Sequence, residues 1–161
     1  MRTNKARPYL FEGQGQRAQG QVKVFAHKRI YNRAEYIRPK GFSMKYSELQ
    51  VWQKAMDLVE KIYEATRNLP EHERFGLAAQ MQRAAVSIPS NIAEGYSRAS
   101  TKDYIKFLYI AKGSNAELQT QIIICKRLGY LDANKAEGYM IFTDEISRML
   151  SAIILKLTQN S

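Results

Sequence analysis

Apolar residues recur at three- and four-residue steps through most of the chain after residue 44, the spacing that lines one side of an α-helix. The pattern is clearest over residues 77–118. There Leu77, Met81, Ala84, Ala85, Ile88 and Ile92 mark the buried face of one helix. Beyond a turn at Gly95 to Ser100, Tyr104, Phe107, Leu108, Ala111, Ser114 and Leu118 repeat it. Upstream, Leu49, Trp52, Met56, Val59, Tyr63 and Thr66 keep a seven-residue repeat that Ala55, Ile62 and Leu69 widen, with Ser47 as the expected N-cap and Glu48 in the first turn. Pro70 ends that helix, because the residue before proline is biased away from helical geometry.

The second helix is expected to begin near residues 71–75 and reach Tyr96. Pro89 inside it removes an amide donor and predicts a kink, with Ser87, Ser90 and Asn91 bonding the freed backbone, and Gly95 predicts the exit. Ser100 with Asp103 resembles a capping box for a third helix that Gly129 stops. Asp132 caps a fourth, with Ala136, Tyr139, Met140, Thr143, Ile146, Leu150, Ile153 and Leu157 facing inward. Short loops make sequential helices antiparallel, so the fold class is all-α: an antiparallel up-down-up-down four-helix bundle with a mostly disordered N-terminal extension.

That extension changes the reading of charge. The chain of 161 residues carries a formal +10, but residues 1–43 hold ten Lys and Arg against two acids, while residues 44–161 hold fifteen against thirteen. The folded part is therefore only +2, which weakens any argument for nucleic-acid binding from the pI. Composition, charge and periodicity all change at Met44. Residues 1–43 are expected to be a flexible basic extension, and residues 44–161 the bundle domain. The extension has three readings: a mobile tail, a basic arm for RNA, or an upstream stretch lying before a native start at Met44. Intact mass from the native host separates the last from the others.

Apolar residues at 45% and charged residues at 25% suit one globular domain, and no run of about 18 apolar residues suggests a membrane span. With Cys125 alone, no internal disulfide can form, and a cytoplasmic location is expected without membrane association. Catalytic chemistry is sparse. His27 lies in the extension and His72 at an exposed helix start, no Glu-x-x-His pair is present, and no phosphate-cradling glycine loop occurs. Cys125 shares the apolar stripe of Leu118 and Ile122, which reads as a core thiol. The protein is expected not to be an enzyme, with no catalytic residues, cofactor or metal.

Two polar sets stand out. Arg83, Ser87, Asn91 and Glu94 line one side of the second helix, and Ser114, Glu117 and Gln121 one side of the third. Half-buried charges need partners, and Arg83 with Glu117, or Glu94 with Lys112, would supply them. The set reads either as a structural network or as a grip on phosphate and base edges. The second set, Arg98, Lys102 and Lys106 with Tyr96, Tyr104 and Tyr109, mixes cations and aromatics beside a helix N-terminus, as a single-strand nucleic-acid surface would. Lys126 and Arg127 at the end of the third helix are further candidates, and equally suit the helix dipole. Each helix also carries apolar residues beyond one stripe: Val51, Leu58, Tyr109, Ile110, Ile123, Ile124, Ile141 and Phe142. One copy is not expected to hide them all, which points to self-association.

Leu49, Val51 and Trp52, the run from Gln82 to Gly95 with its core Ser87-Ile88-Pro89-Ser90-Asn91-Ile92-Ala93-Glu94-Gly95, then Phe107, Ala111, Gly113-Ser114, Glu117-Leu118 and Leu128-Gly129-Tyr130 together carry a resemblance. Residues 46–157 resemble the proteins encoded by intervening sequences in bacterial 23S ribosomal RNA genes, the S23 family. The resemblance implies a four-helix bundle assembling into a homopentameric ring. It also implies kinship with accessory proteins of diversity-generating retroelements, which bind nucleic acid and assist a reverse transcriptase. The expected partners are thus further copies of the chain and RNA or a nucleic-acid-processing protein. A scaffold with no direct nucleic-acid contact is the alternative.

Overall fold

The structure is a computed structural model that describes residues 45–159. The expectations for residues 1–43 and for Met44 lie outside the described residues. Among the described residues there are four long α-helices and no strand: α1 Gln50–Arg67, α2 Leu77–Tyr96, α3 Thr101–Arg127 and α4 Ala133–Gln159, with short 3-10 turns at Tyr46–Glu48 and Glu71–Glu73.

Local chemistry explains where each helix begins and ends. At the start, Glu48 accepts from the Lys45 amide at 3.0 Å, so the chain tightens into a 3-10 turn, and α1 begins only at Gln50. Ser47 is therefore not the N-cap; Leu49 occupies that place without a side-chain bond. Residues 71–73 likewise form a 3-10 turn rather than the start of α2. Glu73 Oε2 accepts the Leu77 amide at 2.9 Å, only 2.7 Å from where a Cβ on Gly76 would lie, and α2 starts from that contact. Ser100 Oγ accepts the Asp103 amide at 3.0 Å and Asp132 Oδ1 the Lys135 amide at 2.9 Å, as the sequence predicts for the caps of α3 and α4. After α3, the Tyr130 amide reaches Cys125 O at 2.9 Å and the Gly129 amide reaches Lys126 O at 3.1 Å. This is a Schellman closure, and it puts Gly129 at φ +75°, where a side chain would be strained.

The core contains Ala55, Leu58, Ile62, Met81, Ile88, Ile92, Leu108, Leu118, Ile122, Ile146 and Leu150. Within α1 the inward face is rotated from the heptad reading. Val51, Ala55, Leu58, Ile62 and Ala65 are buried, Trp52 and Val59 pack at the margin, and Tyr63 is exposed. The cause is size, since small Ala55 and Ala65 let α1 settle closer to its neighbours than a face carrying Trp52 and Tyr63 could. Val51 and Leu58, expected as surplus apolar residues, are thereby core. Phe142, also expected as surplus, is half-buried under two ammonium groups, Lys54 at 4.8 Å and Lys61 at 5.1 Å from its ring centre, with Lys54 paired to Glu145 at 2.6 Å.

Neighbouring helices meet in the order α1–α2, α2–α3, α3–α4 and α1–α4. Between α2 and α3 the pairs Met81–Cys125 and Ser87–Ser114 and the approach of Gly95 to Phe107 run in opposite sequence order on the two helices. Between α3 and α4, Gln119 bonds Asp144 and Thr143, Asn115 bonds the Thr143 carbonyl at 2.9 Å, and Lys112 bonds Ser151 at 2.9 Å.

Gly95 corrects another expectation. Helix α2 continues through it to Tyr96, so Gly95 is not an exit. A Cβ there would lie 2.6 Å from Phe107 Cβ and 3.3 Å from the Tyr104 carbonyl, so the residue is glycine to let α3 approach. Pro89 is buried and α2 runs on through it. Ser90 Oγ and Asn91 Nδ2 donate to the carbonyls of Val86 and Ser87, at 2.8 and 2.7 Å, bracketing the Ala85 carbonyl that proline leaves without an amide. Gly95→Ala should cost about 1–3 kcal/mol through forced displacement of a packed helix, read as a lower urea midpoint at unchanged m-value. A variant as stable as the parent would contradict the close-approach reading.

Candidate nucleic-acid interface

The turn between α2 and α3 presents the first set of candidates. Arg98 is held on both sides: its guanidinium pairs with Glu94 one turn back and lies 4.9 Å from the Phe107 ring centre. Tyr104 is half-buried and meets Tyr96 edge to face at 5.9 Å. Burial, and then the neighbouring Tyr96, push its hydroxyl up to about 12. Tyr104 is thus a packed residue rather than a stacking platform. Lys102 and Lys106 are exposed one turn apart and form no ion pair among the described residues, while Tyr109 leaves 57% of its surface open. Two free cations and one open aromatic lie within about 10 Å of helix, near a helix N-terminus that favours anions.

Lys126 and Arg127 do not join this group. Twenty residues of helix separate Lys106 from Lys126, about 30 Å, so the structure divides the six sequence candidates between the two ends of α3. At the far end Lys126 and Arg127 are exposed, and just beyond them in the chain the Tyr130 hydroxyl lies 3.3 Å from His72 Nε2. Sequence reasoning missed Phe75 at that end. It is 87% exposed with the Arg74 guanidinium 5.5 Å from its ring centre. Its signal was hidden because residues 71–75 read as the first turn of α2, where a Phe counts toward a buried stripe.

The polar set on α2 and α3 is mostly a local network. Ser87 Oγ and Ser114 Oγ share a hydrogen bond of 2.8 Å, Asn91 Nδ2 donates to Ser87 Oγ at 3.0 Å, and Gln121 donates to Glu117 at 3.1 Å. Neither expected cross-helix ion pair forms. Glu94 takes Arg98 from the turn just beyond its own helix, Lys112 turns the other way to Ser151 on α4, and Arg83 is exposed without pairing to Glu117. The reason is reach. An i, i+4 partner is satisfied within one helix at less entropic cost than a long side chain spanning a gap between two.

Cys125 is fully buried, its thiol directed at Met81 Sδ at 3.4 Å, and burial, then Glu73, push its pKa up to about 11. No helix among the described residues is long and apolar enough to cross a membrane, and no cluster of three or more His, Cys, Asp or Glu suited to a metal occurs among them.

The sequence model of a family described as 23S rRNA-intervening sequence protein matches residues 47–152. Among solved structures, the chain is similar to a protein of unknown function from the S23 ribosomal protein family of Bacteroides thetaiotaomicron VPI-5482. The two share 27% identity at a TM-score of 0.59, covering 65% of this chain and 97% of that one. A comparison with curated proteins finds no match.

The titration of Cys125 has a measurable sign. The unfolded thiol loses its proton near 9.0 and the folded one near 11, so between these values the unfolded state binds fewer protons. The contribution of Cys125 is intact below pH 9 and is lost as pH rises toward 11. Denaturant unfolding from pH 7 to 11 should show this alkaline fall, and Cys125→Ala should flatten it. An unchanged slope in that variant would contradict the assignment.

Proposed function

The chain belongs to the 23S rRNA-intervening sequence protein family, and we propose on that footing that it acts as a non-enzymatic oligomer of up-down-up-down four-helix bundles that associates with RNA or an RNA-processing partner. The observation that carries the RNA contact is the pair Lys102 and Lys106, exposed and without ion pairs beside the open ring of Tyr109. Ammonium groups one helical turn apart match successive phosphates, and an exposed tyrosine offers a face on which a base can stack. Arg98, already satisfied by Glu94 and Phe107, steadies the turn more than it contributes free charge. Self-association, with five copies by family resemblance, would repeat this corner around a ring and multiply a weak contact by avidity.

The near balance of charge over residues 44–161 favours a second reading, a scaffold that docks a protein such as a reverse transcriptase without touching nucleic acid. Salt-dependent binding of the full chain to single-stranded RNA separates the two. The RNA reading expects affinity to fall with salt. Lys102→Ala combined with Lys106→Ala should lower the slope of log K against log salt by about 1.4 per engaged subunit, from about 0.7 for each lost phosphate contact. No binding at about 50 mM salt would overturn RNA association and leave the scaffold. Binding with an unaltered slope in the variant would move the contact away from this corner.

A further inference from the structure

Large apolar side chains left open on the helices are unevenly placed. Tyr109, Ile110, Ile123 and Ile124 lie on α3 and Ile141 and Leu155 on α4, whereas α1 and α2 leave only Tyr63 and Val86. Helical spacing puts the α3 group on one outward stripe together with Gly113, Ala116 and Thr120, all exposed, and puts Ile141 and Leu155 on one stripe of α4 with Arg148 and Ala152. Since α3 and α4 pack side by side, the two stripes make one face.

The glycines supply an independent observation. Gly113 and Gly138 lie within α3 and α4, where glycine weakens a helix relative to alanine. A Cβ at either position would meet nothing within 4 Å, unlike one at Gly95. Nothing among the described residues makes use of these two bare positions. A helix pressed against the face from outside would use them, as α3 uses Gly95.

From this we propose that the α3–α4 face is the surface on which a second copy of this chain packs. The inference rests on the oligomeric reading above and specifies which surface carries it. Between Lys102 and Arg127 the face is about 38 Å long and, across two helices, about 20 Å wide, roughly 750 Å², close to the ~800 Å² per partner of a standard stable interface. Its charges are nearly balanced: Lys102 and Lys106 lie at one end, where with Tyr109 they form its open rim, Arg127 and Glu137 lie toward the other end, and Glu117, Asp144 and Arg148 lie nearer the middle. Apolar groups inside a mainly polar border are the anatomy of a protein interface, and near-neutrality lets like copies meet without repulsion.

Light scattering on the full chain tests this with three proteins: the parent, Ile123→Glu combined with Ile141→Glu, and Val86→Glu as a control on α2. All three substituted sites are exposed in the subunit, so helical content by circular dichroism should stay at the parent value. The parent should be a multimer, the double variant should fall to the mass of one chain, and the control should keep the parent mass. A double variant that retains the parent mass would overturn the assignment of this face while leaving self-association standing. A monomeric parent would overturn self-association itself, and the face would then serve a different protein.

Discussion

The absence of a side chain at Gly95 sets the distance between α2 and α3. Phe107 Cβ occupies the space a Cβ would need, and eight residues back the small hydroxyls of Ser87 and Ser114 meet at 2.8 Å in the same seam. Small residues at a helix crossing bring backbones together and raise the number of dispersion contacts each neighbouring side chain makes. The Ser87-Ile88-Pro89-Ser90-Asn91-Ile92-Ala93-Glu94-Gly95 run is therefore the sequence of a contact surface: Ile88, Pro89 and Ile92 turned to the core, Ser87 and Asn91 toward α3, and Gly95 where α3 comes nearest.

With one side of α3 committed to α2 and another tied to α4 through Asn115, Gln119 and Lys112, its remaining side has no partner helix among the described residues. The α3–α4 seam is polar where an apolar one would be more stabilising. Asn115 is buried and spends its amide on the Thr143 carbonyl, a bond available in only one register. Sliding α4 by a turn would strand that amide in the core, so the arrangement fixes which outward residues of α3 and α4 share a surface.

Helix number, the caps at Ser100 and Asp132 and the inward face of α4 were legible in the sequence, because each depends on residues close together in the chain. The errors have a common physical origin. The α1 face was misread because two stripes of comparable hydrophobicity compete there, and the choice between them depends on how near a neighbour can come. Gly95 was misread because a glycine near a helix end looks the same whether it releases the chain or admits another helix. The ion pair of Glu94 was misassigned because a one-dimensional reading cannot weigh a partner four residues away against one across a gap. Phe75 was lost because the 3-10 turn just before it resembles a helix start. Of the proposed site, the cations and their places at the two ends of α3 were visible in the sequence, but not that Glu94 and Phe107 together hold Arg98, a contact that depends on how α3 meets α2.

On this account the bundle is half of a packing problem whose other half is another copy. Hydroxyl-radical footprinting of the native protein, read at individual leucines by mass spectrometry, tests that most directly. In a lone subunit Leu155 is more exposed than Leu128, at 60% against 54%. Cover over the α3–α4 face predicts the reverse order, with Leu155, inside the face, labelled more slowly than Leu128, beyond its end. Labelling of Leu155 as fast as Leu128 or faster would mean that the face stands open in water, and would contradict the account.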